Sequence, residues 1–217
     1  GAQVGLVFDS GMGLKLGASY KTPQIFDDFE FENTYLDDSE GKNTFSMDYP
    51  AILSFGLGYS MDLFDLALDY RFVDYENTNG FNESGWTQTA SVAGFGWENM
   101  NIISAGVQFN GLEKVPLRVG YTYNSNPVPD KLAFFNAPAT AIIQNAFQVG
   151  FSFLPMEKLQ LDAMYHHGMS NGKTEGPMYN PMMISSENPL GEIPGSSVGY
   201  DMTTDLITIG VSYIFNR

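Results

Sequence analysis

The chain has no cysteine in its 217 residues, so disulfides and thiolate metal sites are excluded. Positive charge is scarce: 10 Lys and Arg stand against 25 Asp and Glu, a formal net charge of −15. Neutralising a run of phosphates needs clustered cations, so nucleic acid is excluded as a partner. No segment reaches the roughly 18 uninterrupted apolar residues of a membrane helix. Histidine occurs only as adjacent His166 and His167, which on a strand point to opposite faces and make no metal or acid–base cluster. No Gly-x-Ser-x-Gly, Walker or zinc-ligand spacing appears, so no catalytic residue, metal ligand or cofactor is expected. The chain opens Gly-Ala-Gln, with neither an initiator Met nor a signal-peptide pattern, and is expected to be mature or cut from something longer.

What the chain has is alternation. In 116–130, Leu117, Val119, Tyr121 and Tyr123 alternate with Arg118, Gly120, Thr122 and Asn124 until Pro127 and Pro129 end the run. A period of two marks a strand with different surroundings on its two faces, and the prolines stop ladder pairing. The same pattern recurs in runs centred on Leu6, Leu16, Leu57, Leu68, Ala105, Phe151, Ala163 and Ile209, which makes about nine strands. Connections alternate between short (9–12, 61–62, 110–115, 154–157) and long (23–46, 76–99, 124–144, 168–202).

Strands of roughly 9–12 residues are long enough to cross a hydrocarbon layer when tilted. Short turns at one end and long loops at the other predict an all-β, antiparallel transmembrane β-barrel with periplasmic turns and extracellular loops. Aromatics support this. Phe8, Tyr59, Phe64, Phe109, Phe153, Tyr213 and Phe215 lie near the short-turn ends; Tyr20, Tyr70, Phe72, Tyr121, Tyr123 and Tyr165 lie near the long-loop ends. Two such bands suit the two membrane interfaces. A soluble β-sandwich also alternates, but it would carry charge on its outer face and turns of similar length at both ends. Nine strands leave a count that bacterial single-chain barrels do not have and two unpaired edges in lipid, so further strands on the N-terminal side are expected.

Several stretches resemble the C-terminal part of the FadL/OmpP1/TodX family of outer-membrane hydrophobic-compound transporters. They are Leu117-Arg118-Val119-Gly120-Tyr121, Pro127-Val128-Pro129-Asp130, Asn136-Ala137-Pro138-Ala139, Gln148-Val149-Gly150, Tyr49-Pro50 leading into Leu57-Gly58-Tyr59, and Ala67-Leu68-Asp69-Tyr70. The resemblance implies a barrel of about 14 strands plugged by an N-terminal hatch. Residues 1–217 would then be the C-terminal portion of one barrel domain, without the hatch and first strands. It also implies a place in the bacterial outer membrane, and passive passage of hydrophobic small molecules such as long-chain fatty acids or aromatic hydrocarbons. The alternatives are a general diffusion porin, a structural or adhesive barrel, or a barrel hydrolase with an interfacial Ser or Asp near His166 or His167.

Candidate sites follow from the loops and the last strand. The loop 124–144 carries Lys131, Leu132, Phe134, Phe135, Ile142 and Ile143, an apolar patch beside one ammonium. It is either an outer ligand-binding surface for a hydrophobic solute or a segment packed inward on the barrel mouth. The methionines 164, 169, 178, 182, 183 and 202 around the last loop suit adaptable apolar binding or gap filling. Ile207, Ile209, Val211, Tyr213 and Phe215 resemble the C-terminal signal read by the barrel assembly machinery, from which the following Asn216-Arg217 departs. Asp27, Asp28, Glu30, Glu32, Asp37, Asp38, Glu40 and Asp48 crowd the first long loop. They are expected to be solvated, with divalent bridging to lipopolysaccharide among the outer-membrane lipids as the alternative.

Overall fold

The computed structural model describes residues 1–34, 38–87 and 90–215; Asp37, Asn216 and Arg217, named above, lie outside them. In chain order the strands are β1 (Gln3–Asp9), β2 (Leu14–Lys21), β3 (Phe29–Thr34), β4 (Glu40–Phe45), β5 (Ala51–Ser60), β6 (Phe64–Asp74), β7 (Met100–Phe109), β8 (Leu117–Asn124), β9 (Asn145–Met156), β10 (Leu159–Met169), β11 (Thr174–Gly176), β12 (Val198–Tyr200) and β13 (Thr203–Tyr213). One helical turn, α1 (Ala133–Asn136), follows a 3-10 turn at Asp130–Leu132.

Nine strands form one antiparallel sheet in the order β1-β2-β5-β6-β7-β8-β9-β10-β13. These are the nine expected membrane strands, and the sheet is open, with β1 and β13 as its edges. Register gives every residue a face. Gly17, Gly56, Asp69, Ser104, Thr122, Ala146, Gly168 and Thr204 are successive cross-strand partners in one row; Leu16, Leu57, Leu68, Ala105, Tyr121, Phe147, His167 and Asp205 make the neighbouring row on the other face. The second row begins near the short-turn end of β2 and finishes near the long-loop end of β13. This drift is the stagger that tilted barrel strands require.

The apolar face has nothing packed on it: Leu6, Phe55, Val119, Val149 and Ile209 are all exposed. Buried apolar side chains lie chiefly in the long loops instead. Phe81, Trp97, Val128 and Ile142 form one cluster, with Tyr75 and Phe95 against it, and Leu132, Phe135 and Tyr179 form a second, with Trp86, Phe134 and Leu190.

Two departures from the sequence reading stand out. The first and last long loops each contain a two-stranded ribbon, β3–β4 and β11–β12, separate from the main sheet. In the first, Phe29 and Phe31 alternate with Glu30 and Glu32, a strand pattern hidden beneath the acidic composition. The second is too short for periodicity to reveal. The turn predicted at 154–157 is also smaller, because β9 continues through Pro155 to Met156, beside a register shift between Leu159 and Leu161. A bulge is where a strand tolerates proline.

Candidate functional site: the polar sheet face and the loop cap

The polar face is concave. A groove of about 540 Å³ is lined from that face by Gly5, Ser19, Ser54, Asp69, Ser104 and Thr122, which come from six consecutive strands of the sheet. A second, of about 570 Å³, is lined by Asp65, Gly106, Arg118, Gln148, Asp162 and Thr208, again from six consecutive strands. One cavity can touch six neighbours from a single side only if the sheet curves around it.

Toward the short-turn end the concave face carries a connected polar chain. Asn110 Nδ2 donates to Asp65 Oδ2 at 2.7 Å and Arg118 Nε to Gln108 Oε1 at 2.6 Å. Arg118 Nη1 donates to Ser152 Oγ at 2.7 Å, and the Ser152 hydroxyl donates in turn to Asp162. The direct Arg118–Asp162 separation is 3.8 Å between partly exposed groups, so the hydrogen bonds dominate over the ion pair. Arg118 is thereby committed to the wall. Arg71, on the same face in the first groove, has no side-chain partner among the described residues.

The two histidines fall on opposite faces. His166 Nδ1 lies 3.2 Å from Gln148 Nε2 on the concave side, while His167 Nδ1 lies 2.8 Å from Asp205 Oδ1 on the apolar side. Tyr165 donates its hydroxyl to the same Asp205 carboxylate. Equivalent pairs recur along the long-loop rim: Tyr70 OH donates to Asn101 at 2.7 Å and Tyr121 OH to Asn145 at 2.6 Å. A tyrosine at an interface buries its ring in the apolar band and needs a partner for its hydroxyl. The girdle tyrosines are legible from spacing; their Asn and Asp partners are not, because pairing depends on register.

Above the groove the loops are cross-linked into a cap. Pro129 precedes the 3-10 turn, and Leu132, Phe135 and Asn136, spaced as neighbours on one helical face, are all buried. Asn136 accepts from Trp97 Nε1 at 2.6 Å and donates to the carbonyls of Phe95 at 2.8 Å and Leu132 at 3.0 Å. Among the described residues no buried side-chain nitrogen or oxygen is left unpaired. Phe135 stacks on Tyr179 at 5.0 Å and 13°, and Tyr179 OH donates to the Lys131 carbonyl at 2.5 Å. Trp86 Nε1 donates to Leu190 O at 2.9 Å, joining two loops far apart in sequence. The β11–β12 ribbon comes so close that a Cβ on Gly176 would sit 2.1 Å from the Asp130 carbonyl. Burial raises the phenol pKa of Tyr75, Tyr179 and Tyr200, with neighbouring Glu192 adding to the shift at Tyr179.

The six residues of the apolar loop patch thus take different places. Leu132, Phe135 and Ile142 are 4%, 2% and 1% exposed, Phe134 and Ile143 are half-buried, and Lys131 is exposed. Ile142 belongs to the first cluster, whereas Leu132, Phe134 and Phe135 belong to the second. Their partners Trp86, Tyr179 and Leu190 come from other loops, and no local period marks them. Ile207, Ile209, Val211 and Tyr213 lie exposed on the apolar face of β13, an edge strand, with exposed Phe215 just beyond its end.

No curated protein matches the chain in sequence. Among solved structures, a Pseudomonas aeruginosa FadL homologue superposes with a TM-score of 0.63 at 13% identity, over 97% of this chain and 51% of that one. The Pseudomonas putida toluene transporter TodX gives 0.58 at 13% identity, over 98% and 48%. The Ralstonia pickettii toluene transporter TbuX gives 0.57 at 13% identity, over 98% and 47%. At such identities these structures establish the fold alone, and the chain spans about half their length. The family model described as outer membrane protein transport protein (OMPP1/FadL/TodX) matches residues 2–190. With its tilted antiparallel strands, girdle tyrosines and long-loop cap, the chain belongs to the OMPP1/FadL/TodX family of bacterial outer-membrane β-barrel proteins.

Proposed function

We propose that this chain is the C-terminal portion of a single barrel domain, closed by further strands, that passes hydrophobic small molecules across the outer membrane. Long-chain fatty acids and aromatic hydrocarbons are the solute classes. The carrying observation is the concave face: two grooves lined mainly by Gly, Ala, Ser, Thr and Gln, in which Arg118 is already committed to wall residues. Such a face gives a slender apolar solute a path that meets few charges, Asp69 and Arg71 being those in the first groove. A general diffusion porin would need a more heavily charged lumen. In the same reading, the second aromatic cluster is the outer capture surface. Phe134 and Lys131 meet the solute, Leu132 and Phe135 shape the surface from beneath, and Ile142 and Ile143 fix the loop below. Each CH₂ buried there contributes roughly 0.8 kcal/mol.

The test is uptake by cells that depend on the intact barrel. Phe134→Ser with Lys131→Gln is expected to slow entry of a labelled long-chain acid severalfold and leave a small hydrophilic solute unaffected. Equal entry of both at normal barrel levels contradicts the capture assignment; no dependence on the barrel at all contradicts the channel.

The edge position of β13 and its exposed row of Ile207, Ile209, Val211 and Tyr213 support a second role, as the strand offered to the barrel assembly machinery. Phe215→Ala in the intact protein is expected to lower the amount of assembled barrel; unchanged levels remove this role. Lipopolysaccharide is the neighbour proposed for the outer rim.

A further inference from the structure

Apart from both aromatic clusters, a cleft of about 690 Å³ opens between the β3–β4 ribbon and residues 79–87 and 91–93. Register pairs Phe31 with Asn43 and Phe29 with Phe45, so Phe31, Asn33, Asn43 and Phe45 share one face of the ribbon. These four line one side of the cleft, and Asn79 and Asn82 line the other. Glu30 and Glu32 fall on the ribbon's opposite face, where Glu32 holds Lys42 at 3.1 Å.

The two walls are fixed together at their base. Asp48 is buried; its Oδ1 accepts from Phe26 N at 3.0 Å and its Oδ2 from Asn79 Nδ2 at 2.7 Å, while its own N–H donates to the Asn79 carbonyl at 3.1 Å. Gly80 has φ +82°, and a Cβ there would lie 2.8 Å from the Ser46 carbonyl, so the loop and the ribbon base meet backbone to backbone. Among the described residues the Asn82 side chain has no partner, and the Asn79 amide is bonded only through its nitrogen.

This lining selects a ligand chemistry. A carboxamide offers two donors and an acceptor on one plane, which matches hydroxyls that both donate and accept. Aromatic rings offer apolar faces for the C–H side of a sugar ring. A hydrocarbon would satisfy the rings but leave the Asn82 side chain and the Asn79 side-chain carbonyl oxygen without partners, at about 1–3 kcal/mol for each group desolvated. An anion would meet Glu83 in the cleft and Asp28, which accepts from the cleft residue Ser46, with Glu30 and Glu32 on the far face of the same ribbon, while Lys42 is already paired. We propose that this cleft binds a neutral saccharide, which stacks on Phe31 and Phe45 and is hydrogen-bonded by Asn82 and the Asn79 side-chain carbonyl oxygen. The sugar comes either from a glycolipid of the surrounding outer leaflet or from a free oligosaccharide. This assignment is independent of the channel.

The experiment titrates the closed, detergent-solubilised barrel with two probes, maltoheptaose and the dephosphorylated core oligosaccharide of outer-membrane lipopolysaccharide. Calorimetry measures affinity, and saturation transfer from aromatic protons to the sugar locates contact. At least one probe is expected to bind saturably. Phe31→Ala with Asn82→Ala is expected to weaken it about tenfold or more, whereas Met182→Ala, on an exposed site in another loop, leaves it unchanged. Heat-modifiable gel migration checks that the variants remain barrels, and loss of saturation transfer from the parent's phenylalanine rings gives an independent readout. Binding of the core alone identifies the glycolipid; equal binding of both identifies free sugar. Absence of saturable binding by either probe, or variants that bind like the parent, would overturn the proposal.

Discussion

The nine-stranded sheet and the cap above it handle apolar side chains in opposite ways. On the sheet, Val119, Val149 and Ile209 are 57%, 52% and 77% exposed, whereas in the cap Trp97, Phe135 and Ile142 are 8%, 2% and 1% exposed. A water-soluble β-protein would bury its alternating apolar row beneath a second layer. Here the row has no second layer, while loops, ordinarily the least buried part of a protein, hold the tightest packing. The difference shows that the two regions meet different solvents: lipid covers the sheet, and water surrounds the cap, which must therefore build its own core.

Truncating the cap's core is expected to have the largest effect. Trp97→Ala removes contacts to Phe81, Tyr75 and Phe95 and the hydrogen bond to Asn136, and should destabilise the cap by about 3–5 kcal/mol. Limited proteolysis should then cut within 76–99 and 124–144 while the sheet stays protected. Simultaneous loss of the sheet would mean that cap and barrel are one cooperative unit.

Placing a charge on the lipid side should come next. Val149→Arg, near the middle of β9 on the apolar face, is expected to cost about 2–4 kcal/mol in a vesicle-folding titration. Thr208→Lys, on the concave face, should cost much less than Val149→Arg. Equal costs would erase the distinction between the two faces.

Asn136→Ala is expected to cost the cap about 1–3 kcal/mol, because the Trp97 indole N–H loses its acceptor while buried. Thermal melting followed by tryptophan fluorescence measures it. A change below that range would show that water replaces the amide.

The smallest effect is a pH dependence. The phenols of Tyr75, Tyr179 and Tyr200 are raised by burial, so the neutral form is favoured in the folded cap. Their contribution is complete below the ordinary phenol pKa of about 10 and is lost as pH rises through the raised values. The cap should loosen above about pH 10, detected as faster proteolysis, while the sheet remains intact. Loosening near neutrality would point to other groups.

Legibility in the sequence follows the same division. The wall strands obey a period of two over 7–12 residues, so Leu117 through Tyr123 reveals its faces without any partner. The cap is held by pairs such as Trp86 with Leu190 and Tyr179 with Lys131, which no local pattern connects. The apolar loop 124–144 was therefore readable as a patch, but not as a member of two separate cores. Phe31 and Asn43 likewise became one side of a cleft only once strand register placed them opposite each other.

The absence of cysteine from these 217 residues makes the central division of faces directly measurable once any cysteine elsewhere in the barrel is replaced by serine. Single cysteines at positions 147–153 along β9, in the closed barrel reconstituted in vesicles, can be probed with a water-borne thiol reagent and a quencher confined to the lipid phase. Positions 148 and 150 should react with the aqueous reagent and position 152, buried beneath Arg118 and Asp162, should not, while labels at 147, 149, 151 and 153 should be quenched from the lipid. Reaction without alternation, or with the two sets exchanged, would contradict a wall with one face in lipid and the other lining a lumen.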